Sequence, residues 1–286
     1  MIWRHKHGQF DLATRALIMG VLNVTTDSFY DGGKFAAHDA AIAHALEMLD
    51  EGADLIDIGG ESTRPGAGPV DEREELRRVL PVITALAEKN PRCIISIDTS
   101  KAAVARAAIE RGAAIVNDIT GLRGDPAMAQ VVRDAGAGVV IMHMQGTPRT
   151  MQQHPRYENV VREVADFFRQ SFTRAVSCGI HPMNIAFDPG IGFGKTVAHN
   201  LLLLKSIESL RAGDRPLVVG VSRKSFIGKI IGSESPDDRF WPTVALTSLA
   251  REKGANIFRV HDVRPNAQAL RMTEAILLQP AQKEVA

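Results

Sequence analysis

One feature narrows the fold of this 286-residue chain more than any other. Short β-branched runs recur along it, each followed by a turn and then an Ala- and Leu-rich amphipathic stretch. That alternation points to βα units around a parallel sheet. Eight runs fit the strand pattern, at residues 17–22, 55–58, 94–97, 114–116, 138–142, 185–187, 217–221 and 256–260. Helical periodicity follows, most plainly over 40–50, 72–88, 102–110 and 158–176. Gly52, Gly112, Gly136, Gly179 and Gly254 stand where helices should stop, shortly before the next strand. Eight units in one series predict an α/β chain folded as a single (β/α)8 TIM barrel over residues 1–286. An open, doubly wound sheet is the alternative. Residues 1–14 are expected to form a small hairpin plugging the barrel bottom, and 279–286 a frayed tail.

Composition closes off other classes. Hydrophobic residues make up 45% and aromatics only 5%, so the core must be aliphatic. A formal net charge of +1 argues against a nucleic-acid groove or a polybasic membrane patch, so anion recognition must rest on a few placed cations. Cys93 and Cys178 form neither a disulfide framework nor a metal-binding spacing. Residues 1–10 lack the apolar core of a signal peptide, and no apolar run is long enough to span a bilayer. A reducing, cytoplasmic location is expected.

In a β/α barrel the active site lies on the loops at the C-terminal ends of the strands. Here all eight ends are polar: Asn23; Glu61 to Arg64; Asp98; Asn117 and Asp118; His143; Asp188; Ser222 to Ser225; Arg259 and His261. Solvation of a barrel mouth explains any one of them. It does not explain Asp98 and Asp188, which directly follow aliphatic runs and need a partner or a ligand at such depth.

Three groups of residues carry chemistry. Asp98, Asn117, Asp188 and Lys224 offer two carboxylates, an amide and a cation from four strands, a set suited to the N–H donors and carbonyl of an aminopyrimidinone ring; a structural ion-pair network is the alternative. Arg64, Arg259 and His261 with Asn23 suit a pyrophosphate clamp. They also suit Mg2+, which keeps its waters and takes one or two protein oxygens, with Asn23 the best candidate. Loops 25–35 and 61–69 are long and rich in turn residues, as water-shedding lids are. The stretch Gly190-Ile191-Gly192-Phe193-Gly194-Lys195-Thr196 lacks the spacing of a phosphate loop. It reads as a tight turn that lets backbone approach the substrate, with Phe193 as an apolar wall.

At these positions the sequence resembles the bacterial dihydropteroate synthases, the pterin-binding sulfonamide targets of folate biosynthesis. Eight strings carry the resemblance, one per strand end. They begin with Gly20-Val21-Leu22-Asn23-Val24-Thr25 and Asp57-Ile58-Gly59-Gly60-Glu61-Ser62-Thr63-Arg64-Pro65-Gly66. Ser96-Ile97-Asp98-Thr99, Val116-Asn117-Asp118-Ile119 and Met142-His143-Met144-Gln145-Gly146 follow. Asp188-Pro189-Gly190-Ile191-Gly192-Phe193-Gly194-Lys195, Ser222-Arg223-Lys224-Ser225 and Arg259-Val260-His261-Asp262 complete the set. The resemblance implies condensation of 6-hydroxymethyl-7,8-dihydropterin pyrophosphate with p-aminobenzoate. It implies that Asp98, Asn117, Asp188 and Lys224 hold the pterin, and that Asn23, Arg64, Arg259 and His261 handle pyrophosphate and Mg2+. Thr63, Pro65, Phe193, Lys224 and Ser225 would line the p-aminobenzoate path. Asp98, Lys224, Arg259 and His261 are the catalytic candidates, Mg2+ the implied cofactor and a homodimer the implied assembly. Departure of pyrophosphate from an electron-rich dihydropterin leaves a delocalised cation, so an SN1-like substitution without a protein nucleophile is expected.

Three positions depart from the family pattern. Thr26 replaces a Pro that would stiffen the first lid. Tyr30 adds bulk beside it, and Phe240-Trp241-Pro242 replaces a stretch closer to Leu-x-Gly, with Trp241 a candidate interface anchor. A pterin-dependent methyltransferase shares the barrel but needs no pyrophosphate clamp. A non-catalytic pterin-binding paralogue is the second alternative.

Overall fold

A computed structural model of the protein describes residues 1–24, 33–62, 68–147 and 149–279. After an N-terminal hairpin, β1 (Ile2–His5) and β2 (Gly8–Asp11), the chain alternates strand and helix. The parallel strands are β3 (Leu17–Asn23), β4 (Leu55–Gly59), β5 (Ile94–Asp98), β6 (Ala113–Asp118), β7 (Gly138–Met142), β8 (Ile185–Asp188), β9 (Val218–Val219) and β10 (Ile257–Val260). They lie in the order β8-β7-β6-β5-β4-β3-β10-β9. The parallel bridge Phe187↔Leu217 joins the two ends, so the sheet closes into the predicted barrel. β4, β6, β7 and β8 are buried along their whole length, as strands covered on both faces must be.

The outer ring comprises α1 (Gly33–Asp50), α2 (Glu72–Lys89), α3 (Ala102–Glu110), α4 (Met128–Ala135), α5 (Val160–Ser177), α6 (Val197–Lys205), α7 (Ser225–Ile231), α8 (Phe240–Glu252) and α9 (Val263–Leu277). Most predicted boundaries move by one or two residues, and α1 and β9 change conspicuously. α1 starts at Gly33, not residue 40, because the stretch before residue 40 carries no amphipathic stripe to mark it. β9 shrinks to two residues at the closing seam, where Phe187 N–H bonds Pro216 O at 2.9 Å. The five glycines expected to end helices all have positive φ, Gly136 at +61° as the cap of α4. Among the described residues no helix is long and apolar enough to cross a membrane.

Two apolar layers result. Ile18, Ile56, Ile58, Ile97, Val116, Ile141, Phe187 and Phe258 face the helices. Leu17, Met19, Leu55, Ile115, Val140, Ala186, Val218 and Ile257 fill the barrel's lower interior with Trp3 of the hairpin. Trp3 is fully buried, and its indole N–H donates to Asn184 O at 3.0 Å.

Candidate active site

Alternation along each strand builds the site from the same inward stripe that fills the barrel bottom. Two residues above Leu55 comes Asp57, above Ile115 comes Asn117, above Ala186 comes Asp188, above Val218 comes Gly220, and above Ile257 comes Arg259. Strand register then aligns Gly59, Asp98 and Asn117. The interior turns from apolar to charged within one side-chain layer.

Arg259 ties this layer together. Its Nε donates to Asp57 Oδ2 at 2.6 Å and its Nη2 to Asp98 Oδ2 at 2.7 Å. Asn117 Nδ2 donates to the same Asp57 oxygen at 2.9 Å. Asp57 Oδ1 is buried without a hydrogen-bond partner among the described residues. The spacing of strand ends assigned Arg259 to a phosphate cluster apart from Asp98. In the structure the guanidinium instead bridges Asp57 and the ring-binding group's Asp98, so the two groups meet at Arg259.

Two glycines stand among the polar atoms of the mouth. A Cβ on Gly59 would lie 3.7 Å from Asp98 Oδ2 and 3.9 Å from Asn23 Oδ1. One on Gly220 would lie 4.0 Å from both Asp188 Oδ2 and Lys224 Nζ. These glycines set backbone without a side chain directly beside the polar atoms.

Burial dominates the electrostatics. It pushes the Asp98 carboxyl up to about 7 against the pull of Arg259, with Asp57, Glu75 and Asp118 adding to the rise. Asp188 is raised by burial too, opposed chiefly by Lys224. Burial lowers Lys224 to about 8 although Asp188 favours its charge. For Arg259 burial works against the charge, but Asp57 and Asp98 outweigh it and raise the value. The layer therefore holds groups poised to change proton or partner when a ligand enters.

The loop after β8 forms one wall. Asp188 Oδ1 accepts the Gly190 N–H at 2.6 Å, and Lys224 Nζ donates to Ile191 O while lying 4.5 Å from the Phe193 ring centroid. Phe193 is half-buried against Met142, Met144 and Met151. Glycine is required here for a reason other than substrate approach. A Cβ on Gly190 would meet His143 O at 2.0 Å and one on Gly194 would meet Gln145 O at 2.7 Å, so the loop lies directly on the neighbouring loop's backbone.

On the opposite side, Asn23 ends β3 with its side chain exposed, and His261 Nδ1 lies 3.0 Å from Ser222 Oγ. Arg223, at φ +56°, makes a two-pronged bond to Asp262 at 2.9 and 2.6 Å, coupling the loops after β9 and β10. Ser225 is exposed at the start of α7. Thr63, Arg64 and Pro65 lie outside the described residues, as do Thr26, Tyr30 and most of both expected lids. Asp118 faces no substrate: both its oxygens are taken by Thr120 and the Leu122 N–H. Pro242 sits in the first turn of α8, where its missing N–H costs no helix bond. Among the described residues no group of three His, Cys, Asp or Glu side chains converges on a metal position. A single amide oxygen such as that of Asn23 fits a divalent ion delivered with its phosphate ligands.

Sequence reasoning passed over Asp57 and Lys195. Asp57 hides in the aliphatic run Leu55-Ile56-Asp57-Ile58, where its inward parity was the available signal. Lys195 read as a loop residue but is 3% exposed, with Nζ 3.1 Å from His143 Nδ1 and 2.9 Å from Phe193 O. Burial lowers Lys195 to about 7, and burial with Lys195 and Arg123 lowers His143 to about 3. A separate cavity of about 670 Å3, lined by Arg123, His143, Tyr157 and Phe167 among others, lies beside α5 and includes none of the residues selected from sequence except the strand-end His143.

Comparison with known proteins is consistent with this geometry. The family model described as pterin binding enzyme matches residues 19–261. The chain is 44% identical over 260 residues to the dihydropteroate synthase of Escherichia coli K12, covering 91% of each. Among solved structures it is similar to the Yersinia pestis dihydropteroate synthase in complex with a sulfonamide drug, with a TM-score of 0.91, 43% identity and coverage of 98% of this chain and 100% of that one. It is also similar to the Xanthomonas albilineans dihydropteroate synthase in complex with 7,8-dihydropteroate, with a TM-score of 0.85, 40% identity and coverage of 95% and 97%. A barrel with this mouth, matched over nearly its full length, belongs to the dihydropteroate synthase family of pterin-binding transferases.

Proposed function

We propose that this chain joins 6-hydroxymethyl-7,8-dihydropterin pyrophosphate to p-aminobenzoate, giving 7,8-dihydropteroate and pyrophosphate. The observation that carries the reading is the hydrogen-bonded layer of buried Asp57, Asp98 and Asn117 with half-buried Arg259, beside Gly59 and Gly220 and with Asp188 and Lys224 close by. Asp98 and Asp188 would accept ring N–H groups, Asn117 would pair with the ring edge, and Lys224 would donate to a ring carbonyl or nitrogen. Arg64, Arg259 and His261 would take the pyrophosphate. Arg259 leaves or shares its carboxylates as the ring arrives, which links ring binding to leaving-group capture. Asn23 would hold Mg2+, whose charge offsets that of the departing pyrophosphate.

The substitution is dissociative. The methylene C–O bond breaks, the dihydropterin delocalises the cation beside Asp98, and the arylamine then forms the C–N bond and loses a proton. Thr63, Pro65, Phe193, Lys224 and Ser225 would line the arylamine's path, which a sulfonamide would share. Pyrophosphate release from the pterin substrate, with and without p-aminobenzoate, tests the reading. A methyltransferase or a binding paralogue releases none. A covalent enzyme–pterin adduct would overturn the dissociative route. Binding of the pterin pyrophosphate is expected to weaken in EDTA, and Asp98→Ala to lose more turnover than Arg64→Ala.

A homodimer would cover exposed apolar side chains of α6, α7 and α8, among them Leu201, Leu202, Ile230, Ile231 and Trp241, the last exposed by 72%. Light scattering should give twice the chain mass, and Trp241→Glu should halve it. The two unpaired cysteines suit a reducing, cytoplasmic setting.

A further inference from the structure

The loop after β8 is held at five consecutive carbonyls. Gly190 O accepts from the Phe193 N–H at 3.0 Å, Ile191 O from Lys224 Nζ, and Gly192 O from Gln152 Nε2 at 2.6 Å. Phe193 O accepts from Lys195 Nζ at 2.9 Å and Gly194 O from the Tyr157 hydroxyl at 2.8 Å. Two lysines thus bond one short loop, Lys224 at Ile191 O and over the Phe193 ring, Lys195 at Phe193 O. Lys224 belongs to the proposed substrate set. Lys195 reaches the loop from behind, 3% exposed, and makes no ion pair among the described residues. A buried ammonium without a carboxylate in contact is costly. It has a use here: Nζ lies within hydrogen-bond reach of three atoms, Phe193 O, His143 Nδ1 at 3.1 Å and His143 O at 3.4 Å. It therefore fastens the Phe193 wall to the end of β7, where the Gly190 backbone already lies against His143.

We propose that Lys195 is a positioning residue for the arylamine side of the site, acting through Phe193 and not by touching substrate. The inference rests on the proposed reaction, in which the arylamine passes Phe193. The charged and titratable groups around Lys195 are His143 from β7, Asp188 from β8, Lys224 from the loop after β9 and His199 from α6. Its positive charge also favours the ionised form of Asp188.

Lys195→Met keeps length and volume while removing the donors and the charge. KM for p-aminobenzoate is expected to rise on the order of tenfold, the size of a lost hydrogen bond to a charged group, with kcat changed by less than about threefold. In a Phe193→Ala background the same substitution should leave KM unchanged, since the two act through one wall. Lys195→Gln, which keeps one neutral donor, should fall between wild type and Lys195→Met. It replaces Lys195→Met in the cycle if that variant does not fold. Amide exchange across residues 190–194, read without substrate, should accelerate in Lys195→Met while exchange in β3 to β6 stays constant. Unchanged exchange, an unchanged KM, or effects that add fully with Phe193→Ala would overturn the inference. Absence of wild-type turnover would overturn the proposed reaction, and the exchange measurement would still decide whether Lys195 holds the loop.

Discussion

The lower and upper halves of the barrel interior are built by the same strands and differ in almost everything else. Below, Trp3, Leu17, Leu55, Val140, Ala186 and Ile257 pack with the indole N–H as the one polar group satisfied, so burial there lowers the free energy of the fold. Above, two residues along the same stripes, Asp57, Asp98, Asn117 and Asp188 are buried and Arg259 is half-buried, with two carboxylates on one guanidinium and one carboxylate oxygen unpartnered among the described residues. Such a layer costs stability and makes sense as a ligand's receptor. The lower half stabilises the barrel, and the upper half holds polar groups that burial makes costly.

Four measurements sharpen or break this contrast. Trp3→Ala should destabilise by about 3–5 kcal/mol in denaturant unfolding, with kcat/KM of the folded fraction unchanged; a comparable loss of activity would mean that the two halves are coupled. Asp98→Asn, nearly isosteric, should lower kcat/KM by on the order of 10²–10³-fold while leaving the fold intact, measured by pyrophosphate release and thermal melting. Asp57→Asn leaves Arg259 paired one-to-one with Asp98, so stability should change by less than about 1 kcal/mol or rise, with kcat/KM lower by roughly tenfold. Strong destabilisation would show that the upper layer stabilises the fold after all.

The smallest effect is in pH. Asp98 titrates near 7 in the folded chain and near 3.8 when unfolded, so between those values the folded state holds the extra proton. Wild type should therefore lose stability relative to Asp98→Asn as pH rises from about 4 to about 7, and the difference should flatten above that. Activity that needs the Asp98 carboxylate should fall below about pH 7. Asp57 contributes to the rise, so Asp57→Asn should move that acid limb to lower pH. A limb that does not move would remove Asp57 from the electrostatic account.

Much of this was legible before any coordinates. Asp98, Asn117 and Asp188 announce themselves because a carboxylate or amide directly after an aliphatic run has nowhere dry to hide. Asp57 does not, because hydrophobic neighbours on both sides make it read as core, and only its parity with Leu55 reveals an inward position. Lys195 is invisible for the opposite reason: among glycines and beside Thr196 it reads as exposed loop, and only the packing of that loop on His143 buries it. The start of α1 and the length of β9 also escaped, since neither is marked by periodicity.

What the sequence by itself determined is the kind and order of the elements, the closed barrel, and the polar set at the strand ends. These follow from local patterns of two and 3.6 residues that need no distant partner. Only the tertiary structure decided that Arg259 spans Asp57 and Asp98, 202 and 161 residues away in the chain. That choice belongs to barrel closure. Bringing β10 beside β3 sets one guanidinium within reach of two carboxylates in a medium too apolar to leave any of them alone.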